Sequence, residues 1–379
     1  MLAVCIGLAS TMAPAVPAFA QQSTEFARTD AEWAALRDNN LNYEEIADLI
    51  HEYNNTVLQN AITYKNDYAG KTSRELANEY YDAAEDVYNR MSYPDADSSN
   101  YASALSSYLN SQNNYENLLK QGDNSTDDYE TIRLQYDKVE KNLVYSAQKQ
   151  MISYWSSYYS LDSLRNNVTT AQTNLESAKL KAAAGTGTQA SLLQAEQSYS
   201  SAVSSLQSAE SSLNNSREDL LIMLGWAHGD EVNIGAVPEV TAEMISSIDV
   251  NADIEKAKAN SIDLQITNKQ LTNARSDSVK EELTQTKANS EREIGSTVTS
   301  SYQSLLLAQS NLAQAEEALA LQSSLLQTAQ RKLQAGTITQ NSYNQTATAY
   351  QNAATTVTTR KLSLLSAYVD YYWVVNGLA

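Results

Sequence analysis

A short turn occurs twice in this chain, first as Ala184-Gly185-Thr186-Gly187-Thr188-Gln189 and again, 151 residues later, as Ala335-Gly336-Thr337-Ile338-Thr339-Gln340. The flanks repeat with it. At the same offset Leu161 pairs with Leu312, Leu175 with Leu326 and Ala178 with Ala329 before the turn. After it, Leu192 pairs with Tyr343, Tyr199 with Tyr350 and Leu206 with Val357. Each turn therefore joins two long segments whose apolar residues fall at steps of three and four, the spacing of one helix face. The chain must be two copies of one helix–turn–helix unit plus whatever joins them, and that rule precedes any residue-by-residue reading.

Breakers are scarce. In 379 residues there are 11 glycines and 4 prolines, while 42% of residues are apolar. Few turns with that much apolar content imply a few long helices. From Thr126 to Ala184 there is neither Gly nor Pro. A helix of that length spans about 90 Å at 1.5 Å per residue. The apolar stripes are diluted with Ala, Ser and Thr, small residues that let helices approach closely along a thin wall. Tyrosine (24) far outnumbers phenylalanine (2), which suits surfaces half packed and half wet, since the ring packs while the hydroxyl stays hydrated.

The expected organisation is an export signal at 1–20 and a first helical-hairpin repeat at 21–225, with a helical insert at about 64–128. A connector at 226–250 and a second repeat at 251–379 follow. In the first copy a helix runs from Asn42 through Ile46, Leu49, Ile50, Tyr53 and Val57 to about Arg90, and Pro94 stops it. A shorter helix follows, from Asn100 to Lys120. The connector holds Gly229, Gly235 and Pro238. The second copy opens near Asp249, and its Asn260-Ser261-Ile262-Asp263-Leu264-Gln265 echoes Asn54-Asn55-Thr56-Val57-Leu58-Gln59. It reads as unbroken polar helix through Arg275 to Glu282.

Met1 to Ala20 is apolar and ends in Ala18-Phe19-Ala20, the small-x-small pattern of a secretory cleavage site. It lacks an initial Lys or Arg, so either the true start lies upstream or the positive region is weak. Its short apolar run and its Pro14 and Pro17 argue against a membrane span. Cys5, the single cysteine, lies within it, so the mature chain forms no disulfide. A chain of formal charge −19 has no overall electrostatic footprint for nucleic acid, which needs clustered Lys and Arg. The acidity reads as solvated helix faces.

Taken together, Lys181-Ala182-Ala183-Ala184-Gly185-Thr186-Gly187-Thr188 and Arg331-Lys332-Leu333-Gln334-Ala335-Gly336-Thr337-Ile338-Thr339, with the repeated Asn-x-x-x-Leu at Asn54 and Asn260, resemble the TolC-like outer-membrane efflux protein family. The likeness covers nearly the whole mature chain. It implies an all-α protomer of two tandem hairpins, and a homotrimer closing twelve helices into a hollow cylinder. It implies a passive conduit in a tripartite efflux pump or type I secretion system, exported to the cell envelope and, by the resemblance, to the outer membrane. Gly185, Thr186, Gly187 and Thr188, with Gly336, Thr337, Ile338 and Thr339, would form the tip that docks a periplasmic adaptor (membrane fusion) protein serving an inner-membrane transporter.

The chain departs from the family in two ways. The family carries acidic residues just after the turn, whereas here Ser191, Gln194, Ser342 and Gln345 stand there. The family also inserts a β-hairpin in each half to build a membrane barrel. Such strands show about ten residues of alternating apolar and polar character, and none is visible. Barrel strands are therefore expected to be reduced or absent.

No catalytic, cofactor or metal site is expected. His51 and His228 are the only histidines and neither has a ligand partner at helical spacing. There is no Gly-rich phosphate loop and no nucleophile elbow. A structural coiled-coil protein of the envelope is the alternative reading. An adaptor-like hairpin protein is a third, but it should also contain β-rich domains.

Overall fold

In a computed structural model, residues 28–379 are described. The expected export signal at 1–20, with Cys5, lies outside them. The described chain begins with α1 (Asp30–Ala35), β1 (Asn40–Leu41), α2 (Ile46–Tyr53) and α3 (Asn55–Thr63), followed by α4 (Ser73–Arg90) and α5 (Tyr101–Asn124). Two long helices follow, α6 (Tyr129–Ala183) and α7 (Gln189–Met223). β2 (Asn233–Ile234) and α8 (Ala242–Ser246) occupy the connector. The second copy is α9 (Val250–Asn260), α10 (Ile262–Asn273), α11 (Asp277–Gln334) and α12 (Gln340–Trp373). Among the described residues the only sheet is the parallel pair β1–β2, joining Asn40 to Asn233 and Leu41 to Ile234. The all-α class of two tandem long hairpins is what the structure has.

Two expected helices are interrupted. The run from Asn42 to Arg90 divides at Asn54 and again around residues 69–72. Asn54 leaves helical geometry because its side chain caps α3, accepting from Thr56 N (2.9 Å) and Val57 N (3.3 Å). Gly70 turns the chain at φ +77° before Thr72 caps α4. The polar helix expected through Arg275 breaks at Ala274-Arg275-Ser276, where Ser276 caps α11 by accepting from Val279 N.

The four long helices form a single layer in the order α7–α6–α12–α11. Its cores lie at the end away from the two turns. In the first copy Ile46, Leu49, Ile50 and Tyr53 of α2 pack on Val144, Ala147 and Met151 of α6 and on Leu220 and Leu221 of α7. In the second, Ala257 of α9 and Leu264 of α10 pack with Ile294, Val298 and Leu305 of α11 and with Leu364 and Tyr371 of α12. Hydrogen bonds and ion pairs join the copies. Lys149 pairs with Asp370 at 2.6 Å and also binds Ser366, while Tyr145 donates to Asp370 at 2.9 Å. Lys138 pairs with Asp263 at 2.6 Å.

The two copies share a junction. Asn54 Nδ2 donates to Met223 O at the end of α7 (2.8 Å), and Asn260 Nδ2 to Val375 O just past α12 (3.1 Å). The echo between these asparagines holds for the amide donor. The cap moves one residue in the second copy, to Ser261, which accepts from Leu264 N.

The insert is a helical hairpin, α4 and α5, packed by tyrosine pairs such as Tyr88–Tyr115 and Tyr93–Tyr108, with ring centroids 5.5 and 5.2 Å apart. Its root is closed by Tyr129 N donating to Lys71 O at 3.0 Å. The second copy has no counterpart, because only Ala274, Arg275 and Ser276 link α10 to α11. That link and the end of α10 instead clamp the root of the first: Arg275 donates to Gly122 O (2.8 Å) and Ser125 O (2.9 Å), and Asn273 to Thr126 O (2.9 Å).

Candidate functional site

The two turns are one structure built twice. At the end of α6, Ala184 is followed by Gly185 at φ +69°, and at the end of α11, Ala335 is followed by Gly336 at φ +66°. That left-handed step suits glycine. It lets Gly185 N reach Ala182 O and Thr186 N reach Lys181 O. Gly336 N and Thr337 N reach Leu333 O and Lys332 O in the same pattern. Crossed bonds of this kind satisfy the last carbonyls of a helix. The hydroxyls of Thr186 and Thr337 donate to Lys181 O and Lys332 O. Thr188 and Thr339 then open the return helices by accepting from Ser191 N and Ser342 N, both at 3.2 Å. Every expected tip residue thus has a turn-forming neighbourhood, and all are exposed except the half-exposed Gly187 and Ile338.

The copies differ at one position. Gly187 N makes an additional bond to Lys181 O (2.9 Å). A Cβ there would stand 3.0 Å from Ala182 N. Ile338 occupies the equivalent place in the second copy, so the first turn is the tighter one.

The tips also sit at different heights. Ser163 of α6 meets Asn352 of α12 at 3.0 Å, and the contacts of Tyr145 with Asp370 and Lys149 with Ser366 keep the same register. Below the first contact α6 runs about eight residues farther than α12, so the first tip projects about 12 Å beyond the second at 1.5 Å per residue. Between the hairpins, just above the tips, lies a groove of about 190 Å³. Asn166, Thr169 and Thr173 of α6 line it with Asn341, Gln345 and Thr348 of α12. No charged side chain lines it. Of the positions where the family carries acids, Gln345 borders this groove, while Ser191 and Ser342 serve the helix starts.

The edges of the layer were not foreseen. Leu307, Leu321 and Leu325 of α11 are 63%, 60% and 46% exposed, and Leu193 of α7 is 56% exposed. Leu305 and Leu312 lie on the face of α11 that packs with Leu364 and Tyr371 of α12. A second stripe, Leu307, Ala318, Leu321 and Leu325, advances by eleven, three and four residues on another face. Eleven residues make three helical turns, so its spacing was visible in the sequence.

No protein-family model and no curated protein matches the chain by sequence. Solved structures do. It is similar over 92% of its length to 88% of the Campylobacter jejuni CmeC outer membrane channel (TM-score 0.56, 11% identity). It is similar over 88% of its length to 90% of a membrane protein from Pseudomonas aeruginosa (TM-score 0.58, 11% identity). The outer membrane protein VceC of Vibrio cholerae matches 88% of the chain with 96% of its own (TM-score 0.51, 10% identity). At these identities the likeness is one of fold, and the chain has the protomer fold of TolC-like outer-membrane channels.

Proposed function

We propose that the chain is one protomer of a closed helical conduit, a homotrimer of the cell envelope, that carries substrate passively between an inner-membrane transporter and the outside. An efflux pump or a type I secretion system would use it, with a periplasmic adaptor docked on the tips around Gly185–Thr188 and Gly336–Thr339. One observation carries this reading. The long helices form a single layer with two open edges, α7 and α11, and the α11 edge displays a stripe of leucines at seam spacing. A free layer would leave those leucines in water, at a cost of about 1.5–3 kcal/mol for each one that a partner fully covers. Placing α11 of one copy against α7 of the next covers both edges, and a ring closes with no edge left.

The geometry of such a ring is reasonable. Twelve helices about 9–10 Å apart make a circle about 36 Å across between axes. Subtracting a helix width of about 10 Å leaves a bore of about 25 Å. The solved channels with this fold support the reading. Export to the outer membrane is proposed on the same support, with α4–α5 standing where the family places a barrel hairpin.

Solution mass tests it. The wild-type chain should weigh as three copies, and a variant carrying Leu321→Glu and Leu325→Glu should weigh as one, with its helical circular dichroism kept. A wild-type monomer or dimer would defeat the conduit and favour a structural coiled-coil protein.

A further inference from the structure

The charge of this molecule is divided very unevenly. Residues 177–195 and 318–359, the two tips with their adjoining turns of helix, contain Lys179, Lys181, Arg331 and Lys332 and not one carboxylate. All 45 acidic residues of a chain of charge −19 lie elsewhere. The four cations are exposed, and none has an acidic partner among the described residues.

Helix-end electrostatics accounts for only part of this. Cations in the last turn of α6 and α11 complement the negative pole of each helix. The same logic places acids in the first turn of a helix, and α4, α6, α9, α10 and α11 carry Glu75, Glu130, Asp253, Asp263 and Asp277 there. The two helices that begin at the tips, α7 and α12, have none, as is also true of α3 and α5. Each tip joins one helix C-terminus to one N-terminus, so the poles offset and the side-chain charge remains.

We propose that the tip end is built to meet an acidic protein surface. The proposal rests on reading the turns as the docking end, and it adds the chemistry of the partner: a face rich in Asp and Glu. Three copies in a ring would present twelve cations, enough to steer an acidic partner to this end of an otherwise acidic body. A protein fits better than a bilayer. The tips stand about 12 Å apart in height by the helical rise, which suits a notched surface and not a flat one. They also carry no aromatic residue in the turns to anchor in lipid.

The test uses the full mature chain, its mass measured in the same sample, with fluorescein-labelled decaglutamate and decalysine as probes at low salt. Decaglutamate should bind, and binding should weaken as salt rises. Lys179→Gln, Lys181→Gln, Arg331→Gln and Lys332→Gln together should weaken it by about tenfold or more. A control with Lys120→Gln, Lys256→Gln, Lys280→Gln and Arg292→Gln should change it less than about twofold. Decalysine should bind no more weakly to the tip variant than to wild type. A trimer that ignores decaglutamate, or one whose binding survives the tip variant, overturns the proposal and leaves the conduit standing. A wild-type monomer defeats the conduit and this proposal with it. Binding to phosphatidylcholine–phosphatidylglycerol vesicles that is lost in the tip variant, without decaglutamate binding, would assign the cations to a membrane and overturn it too.

Discussion

Gly185 and Gly225 have nearly the same backbone, φ +69° and +83°, in very different surroundings. A Cβ at Gly185 meets nothing within 4 Å. At Gly225 it would lie 2.5 Å from Tyr53 Cβ and 2.8 Å from Tyr53 O. Replacing either by alanine incurs the left-handed penalty, roughly 1–2 kcal/mol. Both also gain roughly 0.4–1 kcal/mol, because alanine restricts the unfolded chain. Gly185→Ala should therefore cost about 1 kcal/mol by the difference of those two effects. Gly225→Ala must in addition push α2 off the end of α7, a clash worth roughly 1–3 kcal/mol. It also disturbs Arg37, whose guanidinium lies 3.6 Å over Tyr53 and donates to Gly225 O at 3.1 Å. Its total should be about 3 kcal/mol by the same increments. Urea unfolding followed by circular dichroism, with the midpoint shift converted through a shared slope, compares the two variants directly. Equal costs would refute the argument that the junction, and not the tip, is where the backbone has no room. If Gly185→Ala is mild, it becomes a clean probe of docking, since any loss of partner binding then comes from the turn itself.

The Tyr145 phenol is pushed up to about 12 by burial and by the neighbouring Asp370, which also accepts its hydrogen bond. Burial and Asp253 raise Tyr371 in the same way. A raised folded-state pKa means full stability below pH ~10 and loss as pH climbs from there through about 12. Tyr145→Phe should flatten part of that alkaline slope while costing about 1 kcal/mol at neutral pH for the lost hydrogen bond, read from melts across pH. Arg275→Ala removes the clamp on Gly122 O and Ser125 O, so amide exchange should quicken in residues 73–124 and stay unchanged in α11 and α12. Replacing residues 69–128 by Ala-Arg-Ser, the link the second copy uses, should leave a folded protein of unchanged oligomeric mass. A chain that fails to fold would show that α4–α5 supports the body.

Long periodic stretches and the doubled turn were legible because local rules alone set them. Absence of Gly and Pro fixes the course of α6, and a Thr cap follows a left-handed Gly in both turns. The break at Asn54 had a capping residue, but the apolar steps from Ile50 to Val57 run across it in helical phase and concealed it. The break at Ala274-Arg275-Ser276 had weaker cues still. Its cause is tertiary, since Arg275 is drawn to carbonyls 150 or more positions away in the chain. The open-edge leucines were missed for a related reason. One stripe explains how a helix meets its neighbour in the chain, whereas a second implies a neighbour from another copy.

The differences between the copies bear most on how the tips would work. A true repeat closed into a ring would give every turn one environment. Here the first turn is drawn tight by the extra Gly187 bond and stands about 12 Å lower by the helical rise. The second turn is wider and holds Ile338 half-exposed beside it. Around a ring these would alternate, so a partner touching both must present two kinds of contact, one deep and polar, the other shallow and partly apolar. The uncharged Asn, Thr and Gln groove between the hairpins lies where those contacts would meet. Discrimination there must come from hydrogen-bond geometry, because neither turn and no residue lining the groove brings a carboxylate. On the proposed docking reading, the basic residues just above the turns would supply long-range attraction and the groove between would supply fit.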